Sequence, residues 1–218
     1  PVLAALIIEA VVMGMMDVPE MRRLKRVLRF DFWIAIAAIA GTLLFGVLAG
    51  VMIGIGLSLI WLISVATRPP MPLLGREAGT QVFRELNEHP EDERVPGVVV
   101  LRLDGGLFFA TADALEDRVR EVALSAPGST AIVLDCGGMD FIDSQGSAKM
   151  SEILNLTMQA GVTLRIARLK PPVREVLERD GFLGRIGDDK IHGNVDHAVN
   201  AQLAVSGGNP MAGPKGMP

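Results

Sequence analysis

The sequence predicts a multi-domain protein in which transmembrane α-helices precede a cytoplasmic α/β domain with a mainly parallel sheet. Half of the residues are hydrophobic, the mean hydropathy is +0.38, and no charged residue lies between Asp31 and Arg68. After Arg68 the chain is ordinarily polar and alternates short β-branched runs with amphipathic segments. We predict four successive regions: a membrane region at 1–68, a linker at 69–79, the α/β domain at 80–205 and a disordered tail at 206–218.

The uncharged stretch is too long for one membrane-spanning helix. About 36 residues of helix would measure about 54 Å, whereas the hydrocarbon core of a bilayer is about 30 Å thick. Two spans, at 32–46 and 47–66, fit better. Basic residues flank the pair: Arg22, Arg23, Lys25, Arg26 and Arg29 before it and Arg68 after it. By the positive-inside rule both flanks are cytoplasmic, which predicts a hairpin of two helices.

Residues 1–17 are predicted to be the end of another span that enters the cytoplasm at Asp17. They do not resemble a signal peptide, because no positively charged leader precedes them. Their abrupt apolar start indicates a fragment of a longer protein. Glu9 is costly in lipid and should face protein or water. A packed, partnered or protonated Glu9 and a transport-linked one are both open interpretations.

Small residues recur every four positions in the last span, at Gly46, Gly50, Gly54 and Ser58. This spacing places them on one helical face and predicts close packing against another helix. A glycine-rich nucleotide loop would need a preceding strand and polar surroundings, and the sequence offers neither. Glycines that are merely tolerated in a membrane helix are the alternative.

The basic run at 22–29 has two interpretations. Charge that orients the neighbouring helices explains it sufficiently, and recognition of anionic membrane lipid is the competing hypothesis.

The α/β domain is predicted from alternating strand and helix patterns. Thr111 is predicted to cap the first helix and Gly161 to end the second. The predicted strands are 97–103, 131–135 and 162–168, the last at the sheet edge; helices follow Thr111, Ser144 and Pro171, a strand at 79–84 is weaker, and a short strand-helix unit spans 191–203.

Composition excludes several classes of function. Residues 69–218 hold 21 Asp and Glu against 15 Lys and Arg, which argues against a nucleic-acid partner. The single cysteine, Cys136, excludes an internal disulfide and is predicted to be a buried structural residue. The three histidines, His89, His192 and His197, lack metal-ligand spacing. We predict no cofactor.

The segment DFIDSQGSA at 140–148 is the candidate functional loop. Asp143 or Ser144 is predicted to cap the following helix, and Gly146 to permit tight packing. Asp135 and Asp140 join Asp143 after a parallel strand, where a metal for phosphoryl chemistry would sit. No P-loop lysine or paired nucleophile and base accompanies them, so the sequence predicts no enzyme.

The chain up to about Leu203 resembles the SulP-type anion permease family. The segments DVPEMRRLKRVLRFDFW and GTLLFGVLAGVMIGIGLSLIWLISVATRP resemble its last membrane segments. The segments LGREAGTQVFRELNEHPEDERVPGVVVLRLDGGLFFAT and DFIDSQG resemble its STAS domain (sulfate transporter and anti-sigma factor antagonist). The resemblance implies fourteen membrane segments in an intact relative, ion-coupled or exchange transport of small anions, and an anion site on earlier helices, with no substrate-binding residue here.

The resemblance also concerns regulation. In soluble relatives of the STAS fold, the hydroxyl residue before the loop glycine is phosphorylated; here that position is Gln145, although Ser144 or Ser147 remains a candidate. We expect a regulatory, partner-binding loop formed by Asp143, Ser144, Gln145, Gly146 and Ser147. A homodimer, a cytosolic regulator and a bacterial inner membrane location are also implied. The alternatives are a membrane-tethered STAS protein without transport activity and nucleotide binding by the STAS domain.

Overall fold

A computed structural model of the chain describes residues 18–125 and 130–207, together with Val2. The chain divides between Ala66 and Thr67 into two compact units, which we describe separately. The predicted span at 1–17, including Glu9, lies outside the described residues except for Val2. The predicted tail lies outside them from residue 208 onward.

Between residues 18 and 66 the first unit contains three helices, α1 (Val18–Val27), α2 (Arg29–Phe45) and α3 (Val47–Ala66). Helix α3 has the predicted bounds, whereas α2 begins three residues before the predicted span. Of the described helices, α3 is the one that is both long and apolar enough to cross a membrane by length and composition. Helix α2 has 17 residues and includes Arg29 and Asp31 in its first turn.

Helices α2 and α3 pack as an antiparallel hairpin. The Phe30 and Trp61 rings stack at a centroid distance of 4.1 Å. Further along, a Cβ atom on Gly54 would lie 3.3 Å from the Ala38 Cβ. Residue numbers therefore rise along one helix as they fall along the other. The turn between them is Gly46, whose φ of 91° is costly for any residue with a Cβ atom.

The second unit is a six-stranded sheet with the strand order β2-β1-β3-β4-β5-β6. The four strands from β3 to β6 are parallel neighbours, and β1 is antiparallel to both β2 and β3. The strands are β1 (Leu73–Arg76), β2 (Phe83–Glu85), β3 (Val98–Asp104), β4 (Ala131–Gly138), β5 (Thr163–Ala167) and β6 (Ile191–His192). The helices are α4 (Ala112–Ser125), α5 (Ser144–Gln159), α6 (Pro171–Arg179), α7 (Phe182–Ile186) and α8 (Val195–Val205), with a short 3₁₀ helix at Asp188–Lys190.

Two apolar layers cover the sheet. Helices α4 to α7 pack with one set of strand side chains, including Leu101, Ile132 and Leu134. Helix α8 packs with the other set, including Val100 and Val133. Strands β3 and β4 are thus buried on both faces, which explains why their sequences are almost continuously apolar.

Three predictions about this unit were wrong. The predicted linker at 69–79 contains β1, which joins the sheet beside β3. The strand predicted at 162–168 is not at the edge, because the two-residue strand β6 pairs with it. Thr111 does not cap α4 with its side chain; its buried hydroxyl donates to the Gly106 carbonyl and accepts from Phe108 N–H.

Candidate functional site at the start of α5

The candidate loop is organised by Asp143, which is the N-cap of α5. Its Oδ1 accepts a hydrogen bond from Gly146 N–H at 2.7 Å. Its Oδ2 accepts a second one, from Phe109 N–H at 3.2 Å. One carboxylate therefore satisfies a free N–H of the helix and also holds the loop that follows β3.

The two loops also meet through their backbones. Leu107 N–H donates to Phe141 O at 3.0 Å, and Asp143 N–H donates to Leu107 O at 3.1 Å. This parallel bridge continues the pairing of β3 with β4 beyond the strand ends. Gly146 is buried against it, because a Cβ there would lie 2.8 Å from the Leu107 carbonyl carbon. The start of α5 is consequently fixed in position by backbone contacts.

Three phenylalanines lie together beside this helix start and form what we call the aromatic surface: the half-buried Phe108 and the exposed Phe109 and Phe141. The Phe108 ring stacks on Phe141 at 5.5 Å and meets Phe109 edge-on at the same distance. Phe109 is 72% exposed and Phe141 52% exposed. Sequence reasoning missed this surface, since the pairs Phe108–Phe109 and Asp140–Phe141 were the only signal and apolar residues near strand ends are usually buried.

The remaining loop residues differ in accessibility. Ser144 and Gln145 are exposed at the first turn of α5. Ser147 is buried, and its hydroxyl has no hydrogen-bond partner among the described residues. Of the two serines considered for phosphorylation, Ser144 is therefore the one that a modifying enzyme could reach.

The three aspartates near this edge do not form a metal site. Asp135 is fully buried and holds Arg168, whose Nε lies 2.7 Å from Asp135 Oδ1, and this hydrogen bond raises the pKa of the guanidinium. Asp140 instead pairs with Lys170 Nζ at 2.5 Å, and Asp143 caps α5. No group of three candidate metal ligands occurs in residues 18–125 and 130–207.

The three histidines make contacts elsewhere in the α/β unit. His89 Nδ1 lies 3.1 Å from Glu91, and His192 Nε2 lies 3.1 Å from Arg165 Nη1. His197 lies in the first turn of α8, where its N–H donates to Asn194. Cys136 is fully buried, and burial raises the pKa of its thiol. Among the described residues, no hydrogen bond joins a histidine or Cys136 to residues 143–147.

A charged cluster fixes α5 against α4. Lys149 Nζ lies 2.7 Å from both Glu116 and Glu152 and 3.0 Å from Asp113. Its hydrogen bond to Glu116 raises the pKa of the Lys149 amine and lowers that of the Glu116 carboxyl. The cluster joins the two helices and fixes the orientation of α5 against α4.

The four residues predicted for helix packing occupy different positions. Gly50 is buried at the hairpin contact, where a Cβ would lie 2.6 Å from Thr42 N and 2.8 Å from Ala38 O. Gly54 faces Ala38 in the same contact. Gly46 is instead the turn between the helices, and Ser58 is exposed. The close contact is therefore made within the hairpin by two of the four residues.

Comparison with known proteins shows which family this chain resembles. The family model for the STAS domain matches residues 89–198. A probable sulfate transporter of Mycobacterium tuberculosis is 30% identical over 200 residues, which cover 91% of this chain and 36% of the relative. Sulfate transporter 1.3 of Arabidopsis thaliana is 28% identical over 209 residues, covering 92% of this chain and 32% of the relative. The chain spans about a third of the length of these relatives.

A solved structure shares the fold. The murine solute carrier 26 family member A9 anion transporter, in its inward-facing state, matches with a TM-score of 0.75 at 16% identity. The match covers 87% of this chain and 31% of that one. The names of these relatives are those of transporters rather than enzymes. The chain therefore belongs to the SulP-type sulfate transporter family and carries its STAS domain.

Proposed function

We propose that the chain is part of a secondary active transporter for sulfate or a similar inorganic anion, with a cytoplasmic STAS domain that serves regulation, assembly or partner binding. The observation that carries the proposal is the combination of an apolar helical hairpin with a STAS domain in one chain. Relatives with sulfate transporter names match this combination over nine-tenths of the chain. In this proposal the anion pathway lies outside residues 18–207.

The hairpin of α2 and α3 is the membrane anchor in this proposal. Its outer surface is apolar and exposed, as expected for helices that contact lipid. Both polar ends of the hairpin carry the basic residues that favour the cytoplasm. The protein is then placed in the bacterial inner membrane with its STAS domain on the cytoplasmic side.

The candidate loop is the proposed docking site for a cytosolic regulatory protein. An exposed aromatic pair beside a rigid helix start offers a partner apolar area together with the hydrogen-bonding groups of Ser144 and Gln145. The fixed backbone around Gly146 means that little ordering is needed on binding. A homodimer, which the resemblance implies, remains a prediction that light scattering in detergent would test.

Transport is tested with a chimera. The 200-residue segment that aligns with the Mycobacterium tuberculosis relative replaces its counterpart in that transporter, and labelled sulfate uptake is measured in proteoliposomes. We expect the chimera to retain a substantial part of the relative's uptake, and the chain by itself to give none. A correctly inserted chimera without uptake contradicts the transporter proposal. Flux through the chain alone contradicts the location of the anion pathway.

A further inference from the structure

Helix α1 carries basic side chains that take no part in the contact between α2 and α3. Its ten residues would measure about 15 Å, which is half of the hydrocarbon core, so the helix is too short to span a bilayer. Leu28 separates it from α2 and has extended backbone angles, φ −140° and ψ 107°. The chain thus changes direction between a short amphipathic helix and the first helix of the hairpin.

Three arginines form a stripe at this junction. Arg22 and Arg26 are spaced i, i+4 within α1, a spacing that keeps their side chains on one helical face, and Arg29 is the first residue of α2, directly after the break at Leu28. All three are exposed, and none has an ion-pair or hydrogen-bond partner among the described residues. The two other cations of α1 are engaged, because Arg23 Nε lies 2.8 Å from Glu20 and Lys25 Nζ lies 5.8 Å from the Phe32 ring centroid.

Apolar side chains lie next to the stripe. Met21 and Leu24, at i and i+3, occupy the opposite face of α1, and the exposed Leu28 lies at the break between α1 and α2. At the start of α2, the stacked pair of Phe30 and Trp61 lies beside Arg29, and Trp33 is 65% exposed one turn further. Tryptophan rings at the end of a membrane helix are typical of the level of the lipid head groups.

We propose that α1 and the first turn of α2 form a binding site for anionic phospholipids, in which Arg22, Arg26 and Arg29 hold the head-group phosphates while Trp33 and Leu28 pack against the acyl chains. The proposal rests on the proposed membrane placement of α2 and α3. A lipid matches both halves of the surface. A free inorganic anion would match the arginines alone and would leave the exposed apolar side chains in water.

The two tryptophans of the chain, Trp33 and Trp61, report on this site directly. The full chain is reconstituted in phosphatidylcholine vesicles that contain a small fraction of phosphatidylglycerol brominated on its acyl chains, and quenching of tryptophan fluorescence is measured. Random mixing predicts quenching in proportion to the brominated fraction. We expect stronger quenching than that, with phosphatidylglycerol preferred about tenfold or more, because each basic residue near an anionic surface contributes about fivefold.

The variants separate the stripe from total charge. The triple substitution Arg22→Gln, Arg26→Gln and Arg29→Gln should remove the preference, whereas the triple Arg→Lys variant should keep most of it. Arg23→Gln is the matched control on the same helix, and it should leave the preference unchanged. An unchanged preference in the triple Gln variant overturns the proposal. An equal loss in Arg23→Gln does so too, since it would mean general attraction between opposite charges.

Two further measurements distinguish the remaining outcomes. Vesicles with brominated phosphatidylcholine alone should quench every variant equally, which shows that the helices are inserted and folded. If they quench none, including the wild type, the membrane placement itself fails and the lipid site fails with it. Sulfate and chloride are then compared at matched ionic strength. If the preference for phosphatidylglycerol disappears in sulfate but persists in chloride, the site binds free inorganic anions and the lipid proposal is rejected.

Discussion

Asp143 connects two loops with one carboxylate, and this distinguishes it from Ser144, its neighbour in the sequence. Either residue type is a good N-cap, so the sequence left two candidates. The side chain that accepts the helix N–H belongs to Asp143, while Ser144 faces solvent in the first turn. The second hydrogen bond, to Phe109 N–H, joins residues 34 positions apart and has no local sequence signal.

We expect Asp143→Ala to lower the free energy of unfolding by about 1–2 kcal/mol, because the cap and the tie to Phe109 are lost together. Asp143→Asn should recover most of this loss. Ser144→Ala is the control and should stay within about 0.5 kcal/mol of the wild type. Chemical denaturation of the full chain followed by circular dichroism measures all three. A larger loss for Ser144→Ala than for Asp143→Ala would assign the cap to the serine.

Any side chain at Gly146 should lower the stability of the folded protein. Its Cβ would approach the Leu107 carbonyl and would lie 2.9 Å from Ile142 Cγ1, and the backbone there is fixed by the bridge between the two loops. We expect Gly146→Ala to cost about 1–3 kcal/mol in the same denaturation assay. Gly184→Ala, in α7 where the added methyl group meets nothing within 4 Å, is the matched control and should be neutral or stabilising. Equal stability of the two variants would contradict the close approach.

Strands β1 and β6 show why short elements are hard to predict. Residues 73–76 follow three prolines and carry no alternating pattern, so their strand conformation depends on the edge that β3 offers them. The two-residue strand β6 likewise exists through its pairing with β5. By contrast, β3 and β4 were predicted from their own residues, because burial on both faces selects β-branched and aliphatic side chains at every position.

The β6 edge should respond to pH through His192. Burial, and then the positive charge of Arg165, lower the pKa of this imidazole in the folded protein; Asp189 and His197 are the other titratable groups that act on it. Since Arg165 Nη1 donates to His192 Nε2, the folded state favours the neutral ring. The unfolded chain then binds the proton more tightly, so this contribution to stability is complete above about pH 7, begins to decrease as the pH falls below about 6.5, and is lost as the pH falls through the lower pKa of the folded state.

We expect His192→Gln to flatten the dependence of the melting temperature on pH between about 7 and 5. His89→Gln is the control, because His89 lies in the loop between β2 and β3 and not against Arg165. Melting curves at several pH values compare the two variants with the wild type. A steeper dependence in His192→Gln, or the same flattening in His89→Gln, would exclude His192 as the source.

The α2–α3 hairpin depends on Gly50. A larger residue there would overlap Thr42, so Gly50→Leu should separate the helices, whereas Gly56→Leu, where nothing lies within 4 Å, should not. The readout is a disulfide between Ala38→Cys and Gly54→Cys, whose Cβ atoms are placed close together by the contact at Gly54. We expect oxidative cross-linking to be lost with Gly50→Leu and kept with Gly56→Leu. Efficient cross-linking in both would show that the contact does not need a glycine.

At the scale of the whole molecule, two membrane crossings by α2 and α3 would leave both flanks of the hairpin on the cytoplasmic side of the membrane. Single cysteines at the exposed positions Pro19 and Glu88 should react with a membrane-impermeant maleimide in inside-out vesicles and stay unlabelled in intact cells. The native Cys136 should not interfere, because it is fully buried. Labelling of the two positions from opposite sides of the membrane would contradict two crossings between them.

The sequence by itself determined the division into an apolar helical region and an α/β domain, the order of most strands and helices, and the family. The regions and elements follow from periodicity and composition, which are local, and the family follows from the resemblance of whole segments. The tertiary structure decided that Asp143 rather than Ser144 caps α5, that β1 completes the sheet, and that Phe108, Phe109 and Phe141 lie together on one surface. Each of these depends on a contact between residues distant in the chain, and the free energy of such a contact has no signature in the pattern of either segment alone.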